Sequence, residues 1–188
     1  MKKDELVEKI ISLKKDFFSI NDLRILFPEE KNHLNISVKR LIDSQVIVSI
    51  KRGLYILRNQ SIELEKLATV LYYPSYISFE YALSKYGIIN QGSFDLSLAT
   101  TRHSKKTKLL NTLCQYHKLK EKFFFGFNLQ NGIYLAEPEK AILDTIYLVS
   151  LGIKQINYHS LYLKEINKSK LQRYAKIFGK RVIRMINI

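Results

Sequence analysis

The chain has 188 residues, 46% of them hydrophobic, and a formal net charge of +14. That length suits one domain or two small ones with a packed core, and the charge favours polyanionic partners. Cys114 is the single cysteine, which rules out an internal disulfide and a thiolate zinc cluster. His33, His103, His117 and His159 are scattered without metal-ligand spacing, and no window approaches a membrane-spanning length. The expectation is a protein of the reducing cytoplasm, with no membrane partner and no cofactor.

The first apolar pattern, about Lys3 to Lys15, puts Leu6, Ile10 and Leu13 on one helix face, with Val7 and Ile11 beside them. Ser19 can cap a second helix running through Ile20 to Phe27, and Pro28 stops it. A third helical pattern spans about Lys31 to Ser44. Two β-branched-rich runs, Val46 to Ile50 and Leu54 to Leu57, then flank Arg52-Gly53, where glycine supplies the positive φ of a tight hairpin. Helix, turn, helix and hairpin in this order predict a winged helix-turn-helix over residues 1–60.

At 100° per residue, Leu34, Val38 and Leu41 of the third helix face inward, with Ile42 at the edge. Asn32, Asn35, Ile36, Lys39 and Arg40 lie on the other side. These are residue types that read base edges: Asn pairs with adenine, Lys or Arg with guanine, and an aliphatic group meets the thymine methyl. Lys51 and Arg52 at the hairpin tip suit backbone phosphates or a minor groove. Asp43 is the only acid between Lys31 and Arg58, so the DNA is placed toward the N-terminal half of the helix. The competing reading is an ordinary solvated helix face and a charged, soluble turn.

A boundary falls near Asn59 to Ile62, where Ser61 can cap a new helix, leaving residues 61–188 as a second domain. Ile62 to Leu71 reads as helix, and Pro74-Ser75 breaks it. Ser78 opens another helix through Ala82, Leu83 and Tyr86, closed by Gly87. Phe94 to Thr101, Leu113 to Lys118 and Lys122 to Phe127 read as extended. Glu137-Pro138-Glu139 starts a strong helix that runs to about Leu151 and stops at Gly152. The last 30 residues read as helical, with Leu171, Tyr174, Ala175 and Phe178 on one side and Gly179 closing the turn. The charge concentrates here: residues 153–188 hold nine cationic side chains against one acid. The fold class expected is α+β, a winged helix-turn-helix followed by a mixed α+β domain.

Several segments occur in an order that resembles the AbiEi family of antitoxins. They are Phe18 to Leu57 with its Arg52-Gly53-Leu54-Tyr55 hairpin, Pro74 to Ser78 leading to Ala82-Leu83, Ala99 to Arg102, and Tyr134 to Asp144 with its Ala-Glu-Pro-Glu-Lys-Ala run. The resemblance covers about residues 5–150, and the last 36 residues carry no matching motif. It implies a type IV toxin–antitoxin system whose toxin is nucleotidyltransferase-like. It also implies that the winged-helix domain represses its own promoter and that the second domain neutralises the toxin.

The residues of the second half support further expectations. Arg102, Lys105, Lys106 and Lys108 form a second basic patch, continued by Lys118, Lys120 and Lys122; Glu121 is the only acid from Arg102 to Lys122. It reads as a nucleic-acid contact, a surface for an acidic partner, or two solvated loops. Asp144 lies inside an apolar helix and needs a partner. Arg102 and Lys140 are the candidates, Lys140 one turn earlier on the same helix. Tyr72, Tyr73, Tyr76, Tyr81 and Tyr86 read as core edge rather than as a base-stacking platform. Two alternative functions remain open. In a metal-dependent nuclease, Asp95, Glu137 or Glu139, and Lys140 would bind Mg²⁺ and activate water, although Pro138 marks a helix where such sites use a strand. In a plain transcriptional regulator, the second half would bind a ligand or dimerise.

Overall fold

The computed structural model describes residues 3–28, 33–60, 62–90, 95–155, 161–164 and 166–186. Lys31, Asn32, Ser61, Phe94 and His159 lie outside them. The protein is α+β and divides into two compact units, Met1–Ile62 and Glu63–Ile188.

The first unit runs α1 (Lys3–Ser12), β1 (Phe18–Ser19), α2 (Ile20–Leu26), α3 (Leu34–Asp43), β2 (Ile47–Lys51) and β3 (Leu54–Leu57). The strands form one antiparallel sheet in the order β1-β3-β2. Its core joins Leu6 and Ile10 of α1, Phe18, Leu23, Phe27, Leu34, Val38, Leu41, Ile47 and Tyr55. Each large apolar side chain buried this way contributes about 1.5–3 kcal/mol. The helix expected to reach Lys15 ends at Ser12, and Lys14 takes a left-handed φ of 49°. The two-residue β1 was not anticipated, because so short a strand has no alternation to read.

The second unit contains α4 (Leu64–Leu71), β4 (Ser75–Ile77), α5 (Phe79–Lys85), β5 (Leu96–Thr100), β6 (Lys105–Leu109), β7 (Thr112–Lys118), a 3₁₀ turn (Glu121–Phe123), β8 (Phe127–Gln130), β9 (Ile133–Ala136), α6 (Pro138–Ser150), α7 (Lys168–Phe178) and α8 (Lys180–Ile186). The strands form a mixed sheet in the order β6-β7-β5-β4-β9-β8, with β5/β7 and β4/β9 parallel. Central β5 is buried along its whole length, as an apolar run covered on both faces should be. Tyr116 reaches α4 on one face, donating to the Ala68 carbonyl at 2.8 Å. On the other face Tyr76 meets α6, and His117 meets Phe79 of α5 edge-on at 5.0 Å.

Several sequence expectations change here. α4 ends at Leu71 ahead of Pro74-Ser75, as expected, but Ser75 also begins the interior strand β4, which the sequence did not suggest. Lys105–Leu109 is not a solvated loop but edge strand β6, paired antiparallel with β7. Lysines suit that position because they oppose pairing with a foreign strand. Lys122 to Phe127 is not one strand, since Glu121–Phe123 is a 3₁₀ turn and β8 starts at Phe127. Glu63 rather than Ser61 occupies the N-cap of α4. Within the tail, residues 161–164, 166 and 167 are not helical, and Gly179 at φ +94° separates α7 from α8.

The centre of the second unit is polar. Lys140 and Asp144, one turn apart on α6, form an ion pair with both side chains fully buried. Tyr76 and Ser78 donate hydrogen bonds to Asp144 Oδ2 at 2.9 and 2.8 Å. Lys140 Nζ also donates to the Tyr76 hydroxyl at 2.7 Å. The rings of Tyr76, Phe125 and Phe178 surround the ammonium, each centroid 5.2 Å away. Arg102, the other candidate, is exposed and is not the partner of Asp144. Gly126 closes over the lysine stem at φ +68°, and a Cβ there would come within 3.2 Å of Lys140 Cγ.

This network generates a stability prediction. Lys140→Met strands a buried carboxylate and is expected to cost about 3–5 kcal/mol. Adding Asp144→Leu should recover much of that loss, because the desolvation cost of the pair disappears with it. Urea unfolding of the full chain, followed by circular dichroism, measures both. A single variant as stable as the parent would show that the pair contributes nothing.

Candidate nucleic-acid interface

The first unit presents α3 and the β2–β3 hairpin as one construction. Ser19 caps α2 with its side chain accepting from the Asp22 amide at 3.1 Å, and Asp22 returns the bond by accepting from the Ser19 amide at 2.7 Å. This is a reciprocal capping box. The same Ser19 pairs with Leu54 in the sheet, and the Ile20 amide donates to the Gly53 carbonyl at 3.0 Å. The start of α2 is therefore bonded to the hairpin turn. Gly53 has φ +78°, which the turn requires.

Burial separates the two faces of α3. Leu34, Val38 and Leu41 are buried in the core. Asn35, Ile36, Lys39 and Arg40 are exposed together, and Ile36 is 54% accessible. An isoleucine that exposed among polar residues gains nothing from the core. The first turn of α3 holds no acid, and Asp43, also exposed, lies at its far end. Lys51 and Arg52 stand exposed at the hairpin tip. Asn32, the remaining member of the predicted reading face, falls outside the described residues.

Burial pushes the Asp22 carboxyl up, but hydrogen bonds from Lys15 and Ser19 outweigh it and hold the carboxyl below its ordinary value of 3.8. A depressed folded-state value makes the carboxylate stabilising above that value, and the contribution is lost as the pH falls through the folded value.

In the second unit, Arg102, Lys105, Lys106 and Lys108 are all exposed, as are Lys118, Lys120 and Lys122. Lys118 aligns with Thr100 at the same end of the sheet where Arg102 follows β5. The Arg102 guanidinium lies 4.4 Å from the Tyr72 ring centroid and Lys105 Nζ lies 5.0 Å from it. Tyr72 is anchored in turn by donating to the His103 carbonyl at 2.9 Å. The five tyrosines separate: Tyr76 is fully buried, Tyr72, Tyr81 and Tyr86 are half-buried, and Tyr73 is 66% exposed. Reading Tyr73 as core edge is therefore corrected. The signal available in the sequence was its place directly before Pro74, at the end of the helical pattern.

The acids of the nuclease alternative have other partners. Glu137 accepts from Tyr174 at 2.8 Å and pairs with Lys170 at 3.0 Å, and Asp95 accepts from Gln115 at 3.0 Å. Lys140 is enclosed against Asp144. Among the described residues no group of three or more His, Cys, Asp or Glu side chains could hold a metal ion, and no helix is long and apolar enough to cross a membrane. In comparisons with known proteins, no family model matches the chain and no curated protein matches it.

The capping box supplies a prediction for the first unit. Ser19→Ala should destabilise it by about 1 kcal/mol at neutral pH, the usual worth of a side-chain cap. Asp22→Asn should also destabilise at neutral pH, and its difference from the parent should vanish as the pH falls below the carboxylate range. Thermal melts across pH read both. A difference that grows on acidification would contradict the assigned sign.

Proposed function

We propose that this protein is a DNA-binding antitoxin: the first unit is a winged helix-turn-helix that represses its own promoter, and the second neutralises a nucleotidyltransferase-like toxin without catalysing a reaction. The observation that carries the DNA-binding half is the one-sided exposure of Asn35, Ile36, Lys39 and Arg40 on α3, followed by a hairpin with Lys51 and Arg52 at its tip. The element order helix-strand-helix-helix-strand-strand is the order a winged helix needs. In this reading α3 enters the major groove, where a base pair is identified by its donor and acceptor pattern. The hairpin contacts phosphates and carries no sequence information of its own.

The antitoxin half rests on the resemblance to the AbiEi family, through the ordered motifs and the Ala-Glu-Pro-Glu-Lys-Ala run. Lys140 in that run supplies the cation of the buried network. That gives the motif a physical purpose, because the unit's central ion pair depends on it. The fold of the second unit then holds Arg102 and its neighbouring cations at one end of a sheet, available to an acidic partner or to nucleic acid.

A titration against the promoter separates helix from wing. Lys39→Ala with Arg40→Ala should cost roughly 1–3 kcal/mol per lost base contact and relax sequence preference. Lys51→Ala with Arg52→Ala should weaken all sequences alike and reduce the slope of log affinity against log salt by about 0.9 per lost phosphate contact. Unchanged sequence preference in the first variant removes α3 from base reading.

Neutralisation is tested by co-expression with the product of the adjacent gene, which this reading expects to be nucleotidyltransferase-like. The full chain should restore growth, and so should the Lys39→Ala, Arg40→Ala variant expressed from an independent promoter. Failure of the intact chain to restore growth would refute the antitoxin reading while leaving DNA binding untouched.

A further inference from the structure

The edge strand β6 explains Lys106 and Lys108 without any ligand, because lysines on an exposed edge suppress strand pairing. The cluster beside it needs a different account. Arg102 precedes the strand, stacks on Tyr72 and reaches the Tyr73 carbonyl through Nη1 at 3.4 Å. Its own amide is held at 3.1 Å by Thr100 Oγ1, which donates to the Pro74 carbonyl at 2.7 Å. The guanidinium is thus oriented, not merely solvated. Lys105 shares the Tyr72 ring, and Lys118 and Lys120 project at the same sheet end, where the Leu119 amide between them donates to the Thr100 carbonyl. Among the described residues, none of these four cations pairs with a carboxylate.

The other side of Tyr73 is apolar. With Pro74, Ser75, Phe124, Phe127 and Tyr134 it lines a shallow recess of about 70 Å³. Phe124 and Phe127 are fixed from beneath by Tyr76, their ring centroids 5.0 and 4.3 Å from it, and Phe127 is nearly parallel to that ring. Tyr76 is itself held by Lys140 and Asp144. The recess therefore has an aromatic floor and one exposed aromatic wall on the Tyr76 face of the sheet; Arg102, whose Nη1 reaches the Tyr73 carbonyl, connects it to the cations grouped around Tyr72 on the opposite face at the same sheet end.

Aromatic faces beside a track of cations meet the two needs of an unpaired nucleic-acid strand: stacking for its bases and neutralisation for its phosphates. A duplex offers the second need but keeps its bases stacked inside. An acidic peptide would use the cations and leave Tyr73 without purpose. We propose that the second unit binds single-stranded nucleic acid, with a base stacked on Tyr73 over the recess and the adjoining phosphates on Arg102, Lys105, Lys118 and Lys120. This goes beyond duplex binding by the first unit and does not depend on it.

The test uses the full chain and two labelled twelve-nucleotide probes, oligo-U and oligo-dT, with an unrelated duplex and inorganic polyphosphate as competitors. Replacing Lys39, Arg40, Lys51 and Arg52 together by Ala should abolish duplex binding and leave single-strand affinity unchanged. Tyr73→Ala should weaken single-strand binding roughly 5- to 150-fold, the range for one lost base–aromatic stack, while Tyr73→Phe should preserve it. Arg102→Ala with Lys105→Ala should lower the salt slope by about 0.7 per lost contact. The chain contains no tryptophan, so Tyr73→Trp installs a single indole whose fluorescence a stacked base quenches and polyphosphate does not. Tighter binding of oligo-U than oligo-dT would identify RNA as the strand; equal binding would show that bases and phosphates alone are recognised. Unquenched Tyr73→Trp with bound oligonucleotide, unchanged affinity in Tyr73→Ala, or loss of single-strand binding in the first-unit variant would each overturn the proposal.

Discussion

A lysine and an aspartate with no access to water organise the second unit. Removing two charges from water costs several kcal/mol per ion, and mutual attraction offsets this only when every remaining donor and acceptor is used. Here the accounting is nearly complete. Lys140 gives hydrogens to Asp144 and Tyr76, Asp144 receives from Lys140, Tyr76 and Ser78, and three aromatic rings face the ammonium. Burial pushes the Asp144 carboxyl up and the Lys140 ammonium down, and their attraction works against both shifts. The value of such a pair lies in specificity. Tyr76 of β4 and Ser78 just after it both bond Asp144 of α6, so the directional bonds join these segments where an apolar contact of the same size would impose no direction.

Consequences spread outward from that placement. Tyr76 supports Phe124 and Phe127, so the ion pair also sets the floor of the aromatic recess. Gly126 takes a left-handed φ of +68°, and a side chain there would crowd the lysine stem and Tyr174. Its carbonyl accepts from the Glu137 amide at 2.9 Å, which anchors the start of α6. Glu137 and Glu139 then pair with Lys170 of α7 at 3.0 and 3.4 Å, and Phe178 stacks on Phe123 at 4.5 Å. The basic tail is thereby fastened to the body of the unit through its few buried contacts, while Arg173, Lys176, Lys180, Arg181 and Arg184 stay exposed.

The first unit solves a different problem. It is small, so its apolar core must come from every element, and α1, both later helices and all three strands contribute. The capping box of Ser19 and Asp22 fixes the start of α2, and the backbone bond from the Ile20 amide to the Gly53 carbonyl ties that helix to the hairpin turn. Side chains at the exposed face of α3 and at the hairpin tip are consequently released from structural duty. A surface free of packing constraints is one that can hold charge for a partner.

Much of the first unit was legible in the sequence. The inward face Leu34, Val38 and Leu41, the cap at Ser19 and the turn at Gly53 all depend on spacings of a few residues, where helical period and backbone sterics dominate. The strong helix after Glu137 and its stop near Gly152 were legible for the same reason. In the second unit's sheet β5 and β7 were legible as extended runs, but the rest was not. β4 and β9 are short, β6 is three-fifths lysine, and none has an alternating pattern that names it as a strand. They are strands because partners distant in sequence supply their hydrogen bonds. The Lys140–Asp144 pair, one turn apart on α6, was within reach of helical spacing; long-range pairing decided that Tyr76 and Ser78 complete it, and that Tyr73 stands exposed while Tyr76 is sealed. Local sequence determined which residues prefer helix, turn or charge-bearing surface. Tertiary structure decided which of them meet, because burial and hydrogen bonding between distant segments outweigh the fraction of a kcal/mol that intrinsic preference supplies at each residue.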